Sequence, residues 1–196
     1  MGRSRALNVP VIMAVVRNGF RGSVVDLGIG NGIMAVALKN FCEWPLSDAS
    51  HIPEIVGVES FDRYRNPLWD YYDRIVLSDV AIYVQECEPG RHDMALLIDV
   101  IEHFSKHEGE HLLDMLLEKF DNVIVATPDG FMPQGAEMFD GHVNDDEEHL
   151  SGWKAEDFSL RGMTVYELRD QQGVGLVAVK SKQPIDFKLS LSVVTA

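Results

Sequence analysis

The sequence contains few basic residues. Its 196 residues include 17 lysines and arginines against 31 aspartates and glutamates, so the formal net charge is −14 with histidine neutral. Duplex nucleic acid and anionic lipid bind clusters of Lys and Arg that neutralise their phosphates. Arg3 and Arg5 are the nearest approach to such a cluster. The composition therefore argues against nucleic acid and membranes as partners.

Cysteines and long apolar runs are also scarce. Cys42 and Cys87 are the two cysteines, and neither stands in a CxxC motif or a zinc-binding spacing. This usage is typical of free thiols in a reducing compartment. The apolar run at residues 9–16 is shorter than the ~20 residues that a transmembrane helix needs. We therefore expect a cytoplasmic protein, with residues 1–196 forming a single domain.

Short apolar runs alternate with segments of helical periodicity, the pattern of strand–helix–strand units around a parallel sheet. Five parallel strands are predicted, at residues 23–27, 55–58, 74–79, 93–99 and 122–126. Two more, at residues 163–168 and 175–179, are too close in sequence for a helical crossover and should pair antiparallel. The expected fold class is α/β: a three-layer, seven-stranded, mostly parallel sheet with a reversed last strand and helices on both faces.

A glycine-rich turn, residues 26–32 (DLGIGNG), joins the first predicted strand to an apolar helix. Such a turn presents free backbone N–H groups and the positive end of a helix dipole to a ligand. The dinucleotide fingerprint G-x-G-x-x-G requires glycine where this sequence has Ile33. The spacing therefore disfavours a nicotinamide dinucleotide and an oxidoreductase.

Acidic residues follow three of the predicted strands. Glu59, Asp79 and Asp99 stand at or near successive strand ends, which meet at the carboxyl edge where open α/β folds bind ligands. Carboxylates repel phosphates, but they accept hydrogen bonds from hydroxyl and amino groups and attract cations. S-adenosylmethionine fits this edge, because it carries a ribose diol, an adenine amino group and a positive centre.

Residues 23–181 resemble the class I S-adenosylmethionine-dependent methyltransferases, and DLGIGNG is similar to the first motif of that family. The resemblance implies a Rossmann-like fold, S-adenosylmethionine as cofactor, and methyl transfer to an oxygen or nitrogen of a small-molecule acceptor. It implies that Asp26 supports the cofactor's amino group, Glu59 binds its ribose and Asp99 lies beside the reactive methyl group. The other implied cofactor-binding residues are Gly28, Gly30, Gly32, Asp79 and Val80. As alternatives to cofactor binding, the glycines could serve tight packing with no ligand, and Asp79 could be a plain turn residue.

Residues 99–103 (DVIEH) resemble an acid-x-x-Glu-His stretch that is structural in most members of that family. In a minority, including small-RNA 3′-end methyltransferases, similar residues bind a divalent cation. The corresponding set here would be Asp99, Glu102, His103 and His149. We expect no metal, and we expect His103 or His149 to act catalytically by accepting the acceptor's proton.

A polar segment at residues 127–153 is too long for an ordinary crossover loop, so we expect a lid or acceptor-binding insertion. Its acidic run at residues 145–148 is expected to be a solvated loop, and His142 is a second candidate base. Residues 149–153 (HLSGW) resemble a stretch of uncharacterised family members. Five apolar side chains are candidates for the wall of an acceptor pocket: Phe131, Met132, Met138, Phe139 and Trp153.

Several alternatives stay open. The chain could be a non-catalytic protein that binds a cofactor or a partner on the same fold, or a metal-assisted O-methyltransferase. The sequence does not distinguish O- from N-methylation or a monomer from a homodimer. Residues 183–196 are expected to form a C-terminal extension.

Overall fold

The computed structural model describes residues 8–9, 12–13, 22–42, 54–170 and 173–182. Arg3, Arg5, most of the apolar run at residues 9–16 and the extension at residues 183–196 lie outside these ranges. The strands are β1 Val24–Leu27, β2 Ile55–Glu59, β3 Arg74–Leu77, β4 Met94–Ile98, β5 Asn122–Pro128, β6 Glu137–Phe139, β7 His142–Asn144, β8 Thr164–Asp170 and β9 Gly173–Lys180.

Within the described residues, seven strands form one sheet in the order β3-β2-β1-β4-β5-β9-β8. The first five strands pair in parallel, and β9 runs antiparallel to both β5 and β8. The predicted fold class is confirmed, including the reversed last strand. Because the strand order reverses at β1, a crevice opens at the carboxyl ends of β1 and β4.

The helices cover both faces of this sheet. They are α1 Ile33–Ala37, which continues as a π-helical turn Leu38–Cys42, α2 Val80–Glu86, α3 Lys106–Lys119 and α4 Ala155–Ser159. Strand residues alternate between two cores, so that Val24 packs with α1 and Val25 with α2 and α3. Among the described residues, no helix has the length and apolar character needed to cross a bilayer.

Local sequence explains where several helices begin. Ser105 and Glu108 form a reciprocal capping box at the start of α3. Asp79 caps α2 by accepting from the Ile82 N–H at 3.0 Å, a helix that the sequence analysis did not predict. Pro67 begins a second 3-10 helix, Pro67–Tyr71, after Asp62–Tyr64.

The segment at residues 127–153 contains a β-hairpin that was not predicted. Strands β6 and β7 pair antiparallel across Asp140 and Gly141, whose φ angles are 50° and 75°. Positive φ at both central residues of a two-residue loop is typical of a type I′ turn, for which Asp-Gly is a preferred sequence. The Asp-Gly pair was therefore the available signal.

The end of this segment is anchored to α3 through Trp153, which is fully buried. Its indole Nε1 donates to Ser151 Oγ at 2.9 Å, and Lys106 Nζ lies 3.7 Å from the ring centroid. A Cβ atom on Gly109 would lie 2.6 Å from Trp153 Cζ2. The glycine in the first half of α3 thus permits the close approach of the indole ring.

We predict that Gly109→Ala lowers the free energy of unfolding. Alanine favours helix by ~1 kcal/mol over glycine, but overpacking against the buried indole costs about 1 to 3 kcal/mol. Chemical denaturation measures the difference, with the exposed His111→Ala on the same helix as control. Trp153→Phe removes the clashing ring atoms, so it should lower the free energy of unfolding by less in the Gly109→Ala variant than in the wild type. Stabilisation by Gly109→Ala would contradict this account.

Candidate functional site

The glycine turn follows β1 and needs glycine for backbone and packing reasons. Gly28 and Gly32 have φ angles of 77° and 82°, in the left-handed region that residues with a Cβ rarely adopt. A Cβ on Gly28 would lie 2.5 Å from Val100 Cγ2, and one on Gly32 would lie 2.9 Å from Trp69 Cδ1. The turn therefore fits tightly between β4 and the 3-10 segment after β2.

Glu59, the last residue of β2, holds this turn in place. Its Oε2 accepts from the Gly30 N–H at 2.8 Å and its Oε1 accepts from the Phe61 N–H at 2.9 Å. The side chain is buried. Burial raises the pKa of this carboxyl, while the backbone donors oppose the rise.

Asp26 lies beneath the turn and is also buried. The Tyr72 hydroxyl donates to Asp26 Oδ2 at 2.5 Å. Burial raises the pKa of Asp26 to about 7; the bond from Tyr72 lowers it and the charge of Glu59 raises it. Asp26 is thus a carboxyl that titrates near neutral pH, and a cation beside it would favour its ionised form.

Asp99 follows β4 in a left-handed backbone conformation, with φ of 52°. Its N–H donates to the Ala126 carbonyl at 2.8 Å, and Asn8 Nδ2 donates to its Oδ2 at 3.3 Å. A non-glycine residue with positive φ is uncommon and is found at functional sites. Asn8, near the N-terminus, thereby contacts the carboxyl edge of the sheet.

These residues share one pocket at the carboxyl edge. It is lined by seven of the eight predicted cofactor-binding residues, Asp26, Gly28, Gly30, Glu59, Asp79, Val80 and Asp99, and by His103. Gly32 and His149 are not among the lining residues. The described lining residues include six carboxyl groups and no lysine or arginine; the acids are Asp26, Glu59, Asp79, Asp99, Asp146 and Glu147.

The two candidate catalytic histidines pack against each other, with ring centroids 4.8 Å apart. His103 Nδ1 lies 3.2 Å from the Glu148 carbonyl, and His149 Nδ1 lies 2.6 Å from the Met132 carbonyl. Burial lowers the pKa of His103, and the neighbouring His149 lowers it further. His103 is therefore neutral near pH 7 and lines the pocket, whereas His149 does not line it.

Two residues after β4 and one residue of the insertion form a cluster of potential metal ligands. Glu102, His103 and His149 each offer one ligand atom, and these atoms lie within 4.8 Å of one another. Thr127 Oγ1 donates to Glu102 Oε2 at 3.0 Å. Asp99, the fourth residue of the set considered from sequence, is not in this cluster.

The HLSGW stretch now has a structural explanation. The Glu102 carbonyl accepts from the N–H groups of Leu150 and Ser151, at 2.9 and 3.1 Å. These bonds carry His149 against His103, and Trp153 anchors the end of the stretch on α3. The motif therefore holds the long insertion against the loop after β4.

The insertion also contributes to the pocket at the end of β2, which sequence reasoning missed. Tyr64 donates to Glu147 Oε1 at 2.6 Å, Asn144 Nδ2 donates to the Tyr64 oxygen at 3.2 Å, and Ser60 donates to Asp146 Oδ2 at 2.8 Å. The prediction of a solvated loop at residues 145–148 is wrong for Glu147, which is buried. No local signal identifies these partners, because they come from segments about 80 residues apart.

The five apolar residues predicted to wall an acceptor pocket do not line the pocket that the candidate cofactor-binding residues share. Phe131 and Met138 are exposed, while Trp153 is buried against α3 instead. His142 is exposed on the hairpin and does not line the pocket either.

No protein-family model matches the sequence, and comparison with curated proteins also gives no match. Solved structures do match the fold. The bifunctional kinase-methyltransferase WbdD aligns with 94% of this chain at 16% identity and a TM-score of 0.66, and the match covers 42% of the WbdD chain. This chain thus spans less than half of that protein.

Two other similar structures contain S-adenosylhomocysteine. The N-terminal domain of EvdMO1, solved in the presence of SAH and D-fucose, aligns with 91% of this chain and 83% of its own, at 16% identity and a TM-score of 0.58. The Burkholderia thailandensis 1,6-didemethyltoxoflavin-N1-methyltransferase was solved with 1,6-didemethyltoxoflavin and S-adenosylhomocysteine bound. It aligns with 88% of this chain and 78% of its own, at 15% identity and a TM-score of 0.56. The chain therefore has the Rossmann-like fold of class I S-adenosylmethionine-dependent methyltransferases.

Proposed function

We propose that this protein is an S-adenosylmethionine-dependent methyltransferase that acts on an oxygen or nitrogen of a small molecule. The observation that carries the proposal is the pocket at the carboxyl edge, with six carboxyl groups and no lysine or arginine among its described lining residues. Such a wall favours a cationic ligand with hydroxyl and amino donors and repels phosphates. Two solved structures with the same fold contain S-adenosylhomocysteine.

The residues present fit this cofactor. S-adenosylmethionine supplies an electrophilic sulfonium methyl group when bound. Asp26 is placed to stabilise the cofactor's ammonium group, Glu59 to accept from its ribose, and Asp79 and Val80 to contact its adenine. Their main contribution to the rate would be alignment, since holding the reacting groups in the right orientation can lower the activation barrier by about 7 kcal/mol or more.

Proton removal from the acceptor falls to His103. It lines the pocket, and its lowered pKa keeps the imidazole unprotonated and able to accept a proton near pH 7. His149 contacts His103 and acts through it as a positioning residue.

The first test of this proposal is calorimetry with S-adenosylhomocysteine and S-adenosylmethionine. We expect both to bind, and we expect Asp99→Asn to weaken S-adenosylmethionine binding by about tenfold, because it removes a carboxylate from beside the cofactor's positive centre. Glu86→Gln on α2 removes the same charge outside the pocket and should leave affinity unchanged. Absence of binding at high micromolar ligand would remove the proposal. Binding without methyl transfer to any acceptor would favour the non-catalytic alternative.

A second prediction concerns protons. Asp26 has a pKa of about 7 in the free protein, and an ammonium group beside it must lower that value. Below pH 7, binding of S-adenosylmethionine should therefore release roughly 0.5 to 1 proton. Its affinity should rise with pH up to about 7 and then level off. Calorimetry in buffers of different ionisation enthalpy measures the release. Asp26→Asn should abolish it, and an unchanged release in that variant would contradict the assignment.

A specific observation favours a second candidate, metal-assisted O-methyl transfer. The Glu102, His103 and His149 cluster combines one carboxylate with two imidazoles, a set suited to a divalent transition metal. The Nδ1 of His149 meets a carbonyl oxygen, which can only accept, so Nδ1 carries the proton and a neutral ring keeps Nε2 available as a ligand. A metal there would hold and acidify an acceptor hydroxyl.

Mn²⁺ titration separates the two candidates. If the cluster is a metal site, the protein binds Mn²⁺ by electron paramagnetic resonance, and His149→Ala weakens that binding by 10-fold or more. His107→Ala, which removes an exposed histidine on α3, is the matched control. Absence of Mn²⁺ binding in the wild type, with S-adenosylhomocysteine binding intact, would leave metal-free proton transfer to His103.

A further inference from the structure

The insertion docks on the segment after β2 through Tyr64. The Tyr64 ring makes edge-to-face contacts with Phe61 and with Phe139 of β6, at centroid distances of 5.0 and 5.1 Å. Its hydroxyl donates to Glu147 and accepts from Asn144. Because Tyr64, Asn144 and Glu147 are all buried, this contact fixes the position of Glu147 in the pocket wall.

The carboxylates of Glu59 and Glu147 differ in what they can still accept. Each oxygen of Glu59 already accepts one backbone N–H bond, from Gly30 or Phe61, so each has one acceptor site left. Among the described residues, the Glu147 carboxylate accepts one hydrogen bond, from Tyr64 to Oε1. The Oε2 of Glu147 therefore offers the more open acceptor at this end of the pocket.

The two carboxylates also repel each other. Burial is the main cause that raises the pKa of Glu59, and the negative charge of Glu147 raises it further. Burial and the hydrogen bond to Glu147 raise the pKa of Tyr64, and the charges of Glu147 and Glu59 add to that rise. Tyr64 consequently stays protonated and continues to donate to Glu147. Two acids of like charge around one end of a pocket are relieved by a ligand that brings hydroxyl donors between them.

We propose that Glu147 is a second acidic residue for the ribose hydroxyls of the cofactor, supplied by the insertion rather than by the sheet. The inference rests on the proposed function, because it presumes an adenosine ligand beside Glu59. It makes residues 127–153 part of the cofactor site as well as a cover for it. Loss of the Tyr64 contact would then weaken cofactor binding without any change in the glycine turn.

Glu147→Gln and Glu148→Gln form a matched pair for the test. Adjacent in sequence, they remove the same charge, but the Glu148 side chain is exposed and its backbone carbonyl is kept. We expect Glu147→Gln to weaken S-adenosylhomocysteine binding by about tenfold in calorimetry and Glu148→Gln by less than twofold. Equal affinities of the two variants would overturn the inference.

Two nucleosides show which part of the ligand Glu147 contacts. Wild-type protein should bind adenosine more tightly than 2′,3′-dideoxyadenosine, and Glu147→Gln should reduce that difference by several-fold. An equal loss of affinity for both nucleosides would overturn the ribose assignment. If Glu147→Gln does not fold, Tyr64→Phe removes the donor that orients the carboxylate and should reduce the same difference.

The outcomes separate this inference from the proposed function. If the wild-type protein binds no S-adenosylhomocysteine, the proposed function fails. If the wild type binds and Glu147→Gln binds equally well, the proposed function stands and the role of Glu147 is rejected.

Discussion

The carboxylate of Glu59 is the interaction on which the rest of the site depends. It joins the end of β2 to the glycine turn after β1 and to the backbone of Phe61. Because both partners are backbone N–H groups, Glu59 sets the path of the chain on each side of the pocket. This buried group thus connects the glycine turn with the segment that leads to Tyr64, on which the insertion docks.

The concentration of acids at this edge has an energetic cost. Buried carboxyl groups lose hydration, which raises the pKa of both Asp26 and Glu59. The fold offsets part of that cost with hydrogen bonds from Tyr72, Gly30 and Phe61. A cationic ligand would offset more of it, so the features that are least favourable in the free protein are those that suit the proposed cofactor.

Most of the sheet could be predicted because each strand carries its own local signal. Mostly apolar runs mark β1 and β2, an unbroken one marks β4, and the short gap before β9 marks the reversed strand. The hairpin β6–β7 was missed although Asp140-Gly141 signals its turn, because the surrounding polar residues hide the strands. Helix α2 was missed for a similar reason: at seven residues it is too short to show helical periodicity.

The site divides in the same way between local and distant information. The sequence alone led to the glycine turn and the acids at the strand ends, because strand ends in a parallel sheet share one edge whatever the details of packing. It also indicated His103 and His149 as alternative proton acceptors. The roles of Tyr64, Asn144 and Glu147 depend on contacts between segments far apart in the chain, which no local pattern encodes. Packing also places Trp153 against α3 rather than in the pocket, since burial of an aromatic ring depends on which neighbour, here Gly109, leaves room for it.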